Sequence, residues 1–251
     1  CMLASFFDKD GQPLESAPEH TLAKAAKAFR EVTGMEFQSM GELEYYVITP
    51  DDGTFPAVDQ KGYHESAPYA KTTDFRTKCM YYISRTGGQI KYGHSEVGNF
   101  RMDGNVYEQG EIEFLPIDCQ ESADQLMIAK WVIRNVADRM GLNVTFAPKI
   151  TTGKAGSGLH IHMRIMKDGK NMMIHDGKLS DEARTMPSPH SETRTLLLTS
   201  VSFLIRRLLQ TYAGATATDQ CSYVYHWDGL QNATCATVPT HSIQLPATTH
   251  H

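Results

Sequence analysis

The sequence lacks the features that mark membrane, nucleic-acid-binding and secreted proteins. It has no run of roughly eighteen or more apolar residues, so no segment is predicted to span a membrane. Lys and Arg number 24 against 29 Asp and Glu, a net charge of −5, which argues against the basic face that nucleic-acid binding needs. The short apolar start has no basic flank and no cleavage-like site, so it does not predict a signal peptide.

Cysteine is scarce, and the spacing of the cysteines matches no disulfide or zinc-binding pattern. The chain has five cysteines, an odd number, and none of them forms a Cys-x-x-Cys pair. They are Cys1, Cys79, Cys119, Cys221 and Cys235. This distribution predicts neither a zinc knuckle nor a set of disulfides, and it favours a reducing, cytoplasmic location.

Apolar periodicity predicts helices at 19–34, 71–86, 122–140 and 190–212. The helix at 122–140 is expected to begin with a capping box formed by Ser122 and Gln125. Strands are predicted at 42–48, 89–97, 106–115, 143–149, 159–166 and 171–176, with a hairpin turn at Asp103-Gly104. These elements predict an α+β fold, in which an antiparallel sheet packs against long flanking helices.

Candidate metal ligands recur with a period of two on several predicted strands. Glu42 and Glu44 share one face of the first strand, and His160 and His162 share one face of another. Glu111 stands on a third strand and Glu96 ends a fourth. Converging carboxylates are costly to bury without cations, and oxygen ligands with one imidazole suit Mg²⁺ or Mn²⁺ better than Zn²⁺.

A plainer interpretation of the same pattern stays open at this point. Alternating glutamates on a strand are more often the solvated face of an antiparallel sheet. The loop at 151–158 is rich in small residues but lacks the Gly-Lys-Ser/Thr ending of a P-loop. Spacing alone therefore indicates a divalent-metal enzyme without excluding an exposed sheet face.

Six motifs in order make the sequence resemble the glutamine synthetase family over about residues 3–216. They are Gly41-Glu42-Leu43-Glu44-Tyr45-Tyr46, Lys61-Gly62-Tyr63, Gly93-His94-Ser95-Glu96-Val97, Glu108-Gln109-Gly110-Glu111-Ile112, the segment Lys130–Ala137, and Phe146-Ala147-Pro148-Lys149 followed by Ala155-Gly156-Ser157-Gly158-Leu159-His160-Ile161-His162. The resemblance implies an ATP- and Mg²⁺- or Mn²⁺-dependent ligase acting on glutamate and ammonia through a γ-glutamyl phosphate. It also implies that full-length relatives form large homo-oligomers.

The resemblance implies two metal sites and a nucleotide site. Glu44, Glu96 and Glu111 would hold one ion, and Glu42 with His160 would hold the other. Glu44, Glu96, Glu111 and His160 would be the catalytic set. The residues implied on the ATP and substrate side are Lys149, Gly156, Ser157 and His162.

The sequence departs from the family pattern at several positions. Ile150 replaces a Pro, Ala155 an Asn, Arg164 a Ser, and Lys91 a nucleotide-side Glu. Arg164 and Lys91 are expected to make the nucleotide pocket more positive. Loss of the Asn weakens the case for ordinary glutamate binding, and the departures at Ala155 and Arg164 leave room for a ligase that joins glutamate to an amine.

Part of the family's sequence has no counterpart in this chain. Neither its small N-terminal β-grasp domain nor its arginine-rich block after the long helix is matched. Residues 1–216 are therefore interpreted as a partial catalytic domain. Residues 217–251 are interpreted as an unmatched tail, for which a frameshift, a disordered or unrelated segment, and a divergent native C-terminus are the open alternatives. The chain as given is expected to be poorly active.

Three functions remain open from the sequence. The first is glutamine synthetase. The second is a ligase that joins glutamate to an amine such as a polyamine. The third is a non-catalytic relative that keeps the fold as a binding scaffold, and the full set of glutamate and histidine ligands argues against it.

Overall fold

The computed structural model describes residues 3–55 and 58–185, together with the backbone of two strands at 221–227 and 233–239. The helix predicted at 190–212 lies outside the described residues. Within the described part of the chain, no helix is long and apolar enough to cross a membrane.

The described residues form four helices and eleven strands, with runs of consecutive strands before and after α3. The helices are α1 (Pro18–Thr33), α2 (Thr73–Arg85), α3 (Cys119–Arg139) and α4 (Asp181–Thr185). The strands are β1 (Glu36–Pro50), β2 (Ile90–Met102), β3 (Asn105–Phe114), β4 (Ile117–Asp118), β5 (Asn143–Thr145), β6 (Leu159–Lys167), β7 (Lys170–Asn171), β8 (Ile174–His175), β9 (Lys178–Leu179), β10 (Cys221–Trp227) and β11 (Ala233–Pro239).

The main sheet is antiparallel and runs in the order β10-β11-β6-β1-β3-β2. Its longest strand, β1, pairs with β3 over residues 42–50 and with β6 over residues 36–43. The strands β4 and β5 also pair with β1, and β7 pairs with β6. The predicted α+β fold with an antiparallel sheet is confirmed.

The helices cover one face of this sheet. Leu43, Tyr45 and Val47 of β1 are at most 3% exposed and belong to the same core cluster as Leu126 and Ile133 of α3. Because successive side chains on a strand point to opposite faces, burying these residues sends Glu42 and Glu44 to the other face. The hydrophobic core thus fixes which face of β1 carries the polar residues.

Gly41 is required where α3 meets β1. A Cβ atom at this position would lie 2.5 Å from Cδ1 of Leu126, closer than real Cβ contacts come. The absence of a side chain lets Leu126 of α3 press onto β1 one residue before Glu42. The helix α3 therefore packs closely against the face of β1 opposite the one that carries Glu42 and Glu44.

Several predicted boundaries differ from the structure. The capping box at Ser122 is wrong: α3 begins at Cys119, and its cap is Asp118, whose Oδ1 accepts from the Gln120 amide at 2.8 Å. The chain leaves β4 and enters the helix at once, which buries Ser122 one turn inside it. The strand predicted at 143–149 ends at Thr145, where its pairing with β1 ends.

One predicted hairpin turn matches the structure and one predicted strand does not. Asp103 and Gly104 both have positive φ, +51° and +74°, as the predicted turn between β2 and β3 requires. The segment predicted as one strand at 171–176 instead forms parts of β7 and β8, which belong to two different sheets.

Candidate metal centre

The register of three strands brings the predicted ligands into two adjacent rows. Glu42 lies opposite His160 on β6 and opposite Glu113 on β3. Two residues along β1, Glu44 lies opposite Glu111. The predicted convergence of these side chains on one face of the sheet is therefore what the structure has.

The imidazole side of the centre is built around Glu42. Its Oε2 lies 3.0 Å from Nδ1 of His160, and its Oε1 lies 2.5 Å from Nε2 of His162. Burial raises the pKa of Glu42, but the hydrogen bonds with both imidazoles outweigh it and lower this pKa to about 2. The hydrogen bond with Glu42 raises the pKa of His160 to about 9. In the metal-free chain Glu42 and His160 thus form an ion pair at neutral pH, and His160 would have to release its proton to bind a cation.

The carboxylate side of the centre has excess negative charge. Glu44 and Glu111 are 7% and 4% exposed. Burial, followed by repulsion from Glu111, raises the pKa of Glu44 to about 7. Burial also raises the pKa of Glu111 to about 7, with the charges of Glu42 and Glu96 adding to it against a hydrogen bond from His94. Two buried carboxyl groups that resist ionisation are the environment that a bound cation relieves.

Glu111 carries an oxygen without a partner. Its Oε1 is buried and has no hydrogen-bond partner among the described residues. One ligand atom each from Glu42, Glu111 and His160 lie within 4.8 Å of one another. Carboxylate oxygens with one imidazole are a donor set for Mg²⁺ or Mn²⁺. The residues therefore fit a divalent cation of this kind.

Glu96 lies beside the carboxylates, on β2. Its Oε1 is 3.7 Å from Nδ1 of His94, and its Oε2 accepts from the Val97 amide at 2.9 Å. The pairing of β2 with β3 shifts register between Ser95 and Asn99, so Glu96 sits in a bulge. Its charge contributes to the raised pKa of both Glu44 and Glu111, which places it in electrostatic reach of them.

A second cluster on the same face escaped the sequence interpretation. Nε2 of His94 lies 3.1 Å from Oε2 of Glu111 and 3.6 Å from Oε1 of Glu113. Burial lowers the pKa of His94, but hydrogen bonds with these two carboxylates raise it overall, to about 10. Glu113 lies two residues after Glu111, and His94 lies two residues before Glu96. The period of two therefore could have predicted that Glu113 and His94 share the face of the candidate ligands.

Lys91 and Arg164, the two basic residues that depart from the family pattern, both have hydrogen-bond partners. Lys91 donates to Oε2 of Glu113 at 2.7 Å. Arg164 donates to Oε1 of Gln38 at 2.7 Å and to the Pro116 carbonyl at 3.3 Å. The charge of Lys91 is therefore matched by a carboxylate, and the expected increase in positive charge at a nucleotide pocket stays a prediction.

The small-residue loop at 151–158 borders the centre. The Gly158 amide donates to Oε2 of Glu44 at 2.9 Å, and the Gly156 carbonyl accepts from Gln109. Ser157 is buried, and its hydroxyl has no partner in the described part of the chain. Lys149 is exposed and donates to the Lys154 carbonyl, so it lies along the loop rather than in the carboxylate cluster.

The fold and the site are those of an α+β protein with a candidate divalent-metal centre on the face of an antiparallel sheet opposite its helices. A sequence model of the family described as "Glutamine synthetase, catalytic domain" matches residues 15–188. The chain therefore belongs to the glutamine synthetase family.

Individual proteins that are similar to this chain are also glutamine synthetases. A glutamine synthetase of Clostridium saccharobutylicum is 30% identical over 70% of this chain and 38% of the relative. One of Methanosarcina mazei is 31% identical over 72% of this chain and 40% of the relative. A cryo-EM structure of Plasmodium falciparum glutamine synthetase matches 72% of this chain and 41% of that one, with a TM-score of 0.63 at 19% identity. The chain thus spans about two fifths of the length of these relatives.

Proposed function

We propose that this chain supplies catalytic-domain residues to an ATP-dependent ligase that forms glutamine from glutamate and ammonia. The observation that carries the proposal is the buried, unpartnered Oε1 of Glu111, a residue that has a ligand atom within 4.8 Å of ligand atoms of Glu42 and His160. Such an oxygen costs free energy to bury unless a cation pairs with it. Membership of the family supports the choice of reaction, and a cytoplasmic location and homo-oligomeric assembly are part of the proposal.

The two predicted ligand sets share the face of the sheet opposite the helices. Glu44, Glu96 and Glu111 would hold one Mg²⁺ or Mn²⁺, and Glu42 with His160 would hold the other. When bound, the cations would neutralise charge on the ATP phosphates and on the glutamate carboxylate. The hydrogen bonds that Glu42 makes with both imidazoles hold its carboxylate ionised at neutral pH, which keeps it available as a ligand.

The reaction transfers the γ-phosphoryl group of ATP to an oxygen of the glutamate γ-carboxylate, and ADP leaves. The lone pair of ammonia then attacks the acyl carbon, the C–O bond to phosphate breaks, and the nitrogen loses one proton, which leaves glutamine and hydrogen phosphate. The protein's share of such chemistry is positioning and charge neutralisation. Glu44 is positioned by the Gly158 amide, and the Gly156 backbone, held through its carbonyl, would face the amino-acid substrate.

On the nucleotide side, the proposal assigns His162, Lys149 and Ser157 to ATP. The Ser157 hydroxyl is buried without a partner among the described residues and can donate to a phosphate oxygen. The exposed Lys149 would have to leave the Lys154 carbonyl to reach a phosphate. His162 is held by Glu42, so its ring orientation is fixed in advance of binding.

An alkylamine in place of ammonia is the second candidate nucleophile, and exposed aromatic rings beside the carboxylates favour it. Tyr63 and Tyr92 are 60% and 41% exposed. Their ring centroids lie 5.5 Å and 5.4 Å from that of His94, which contacts Glu111. An alkylammonium ion gains from both aromatic faces and carboxylates, whereas ammonia has no alkyl group to bury.

The test is product identification by mass spectrometry after long incubation of concentrated chain with ATP, Mg²⁺ and glutamate. Ammonia and methylamine are supplied in parallel, and Glu111→Gln is the matched variant. The proposal predicts traces of glutamine that require ATP and are absent in the variant. A methylamide product without glutamine would select the second candidate. Binding of an ATP analogue with neither product, in a chain joined to a family-like N-terminal domain and C-terminal segment, would identify a non-catalytic relative.

A further inference from the structure

Gln109 makes hydrogen bonds with three separate parts of the site. Its Nε2 donates to Oε2 of Glu44 at 2.7 Å and to the Gly156 carbonyl at 2.9 Å. Its Oε1 accepts from the Gly98 amide at 2.9 Å. The residue is 1% exposed, so both hydrogens of its amide nitrogen are committed in a buried setting.

The contact with Glu44 determines which carboxylate oxygen faces the centre. Oε2 of Glu44 accepts from both Gln109 and the Gly158 amide, at 2.7 and 2.9 Å. Oε1 accepts no hydrogen bond from the described residues and lies 3.8 Å from Nδ1 of His160. Two donors on one oxygen therefore leave the other oxygen pointing at the predicted ligands.

The contact with Gly98 ties Gln109 to the bulge that carries Glu96. The register of β2 and β3 shifts between Ser95 and Asn99, and Gly98 is buried within that stretch. A Cβ at Gly98 would lie 1.9 Å from Oη of Tyr46 and 2.5 Å from Oε1 of Gln109. Only glycine fits there, so the bulge backbone packs directly against the Gln109 amide.

We propose that Gln109 is a positioning residue that couples the loop at 151–158 to the predicted metal ligands. It holds the Gly156 carbonyl and Glu44 with one amide nitrogen, and it holds the Glu96 bulge with its oxygen. A shift of the loop is thereby transmitted to Glu44. The link to catalysis rests on the proposed function, but the coupling itself is measurable without metal or substrate.

The experiment is amide hydrogen exchange, measured by NMR on the full chain, for Gln109→Met and for Gln60→Met. Gln60 is the matched control, since its Oε1 accepts from the Ala155 amide of the same loop at 2.6 Å and its Nε2 donates to the Asn99 carbonyl, not to Glu44. Coupling predicts that Gln109→Met speeds exchange of the Gly158 amide at least tenfold, although Gly158 makes no hydrogen bond with Gln109. In Gln60→Met only Ala155 should exchange faster. Faster exchange at Gly98 with unchanged Gly158 would overturn the proposal.

A second variant separates the two ends of the side chain, and it serves if Gln109→Met fails to fold. Gln109→Glu keeps an acceptor for the Gly98 amide but has no donor for Glu44 or the Gly156 carbonyl. At pH 8, exchange of the Gly98 amide should stay as slow as in the wild type, whereas exchange of the Gly158 amide should become faster. An equal change in exchange rate at both amides would refute the coupling.

Metal affinity supplies the functional arm of the test. Loss of a residue that orients a metal ligand typically costs 10–100-fold in affinity. We expect Gln109→Met to weaken Mn²⁺ binding about tenfold or more, and Gln60→Met less than about twofold. A wild-type chain that shows coupled exchange but binds no Mn²⁺ would contradict the proposed function and leave the positioning role supported.

Discussion

Glu44 and Glu111 lie directly opposite each other on neighbouring antiparallel strands, both buried, with the pKa of each raised to about 7. A pair of this kind destabilises the folded chain once both groups ionise. The unfolded chain ionises them near their ordinary pKa of 4.5, whereas the folded chain keeps its protons until about pH 7. The pair therefore links metal binding, pH and stability.

The stability of the metal-free chain should fall as pH rises from about 4.5 to 6.5. In this window the folded state binds more protons than the unfolded state, so the free energy of unfolding decreases with pH. The lowered pKa of Glu42, about 2, acts at lower pH, and the raised pKa values of the histidines act above about 6.5. Urea unfolding in the presence of a chelator measures the slope.

Glu111→Gln is the variant that tests the source of this slope. It removes one ionising group and the repulsion on Glu44, so the decline between pH 4.5 and 6.5 should be much flatter. A decline as steep as in the wild type would show that other groups cause it.

Replacing Glu42 by Gln should weaken its hydrogen bonds with the imidazoles of His160 and His162. Hydrogen bonds with charged partners contribute about 1.5–3 kcal/mol, and the variant turns two of them into neutral contacts. The pKa of His160 should fall from about 9 toward its ordinary value near 6.5. An NMR titration of the imidazole signals measures this directly.

Glu36→Gln is the control for that titration, because Glu36 is an exposed residue at the start of the same strand. It should leave His160 unchanged. A His160 pKa that stays near 9 in Glu42→Gln would mean that Glu44 and Glu111 alone hold the imidazolium.

The chain as given should form glutamine only near background. Phosphoryl transfer needs positive charge opposite the transferring group, and the arginine block that the family places after the long helix has no match in this sequence. Joining a family-like N-terminal domain and C-terminal segment should raise glutamine formation by orders of magnitude. Robust metal-dependent synthesis by the chain alone would refute this and would assign the role to Lys91 or Arg164.

The polar face of β1 could be predicted from sequence because two simple rules coincide there. Leu43, Tyr45 and Val47 alternate with Glu42 and Glu44, and a sheet covered by helices on one face buries the apolar set. The turn at Asp103-Gly104 was equally local, since positive φ at both positions restricts the residues that fit.

Features that depend on pairing between strands could not be predicted in the same way. The contact of His94 with Glu113 needs the register of β2 on β3, and a bulge after Ser95 shifts that register. Gln109 was part of a recognised motif, but its role depends on a loop 47 residues away in the chain. The Asp118 cap was missed because β4 runs into α3 without a linker.

The measurement that tests the central claim most directly is a calorimetric titration of the full chain with Mn²⁺, together with its melting temperature. The account predicts saturable binding that raises Tm, because the cation pairs with the buried oxygens of Glu44 and Glu111. Glu44→Ala should largely abolish both the binding and the Tm shift, while Glu36→Gln should keep them. An unchanged Mn²⁺-dependent Tm shift in Glu44→Ala would contradict the assignment of this face as the metal centre.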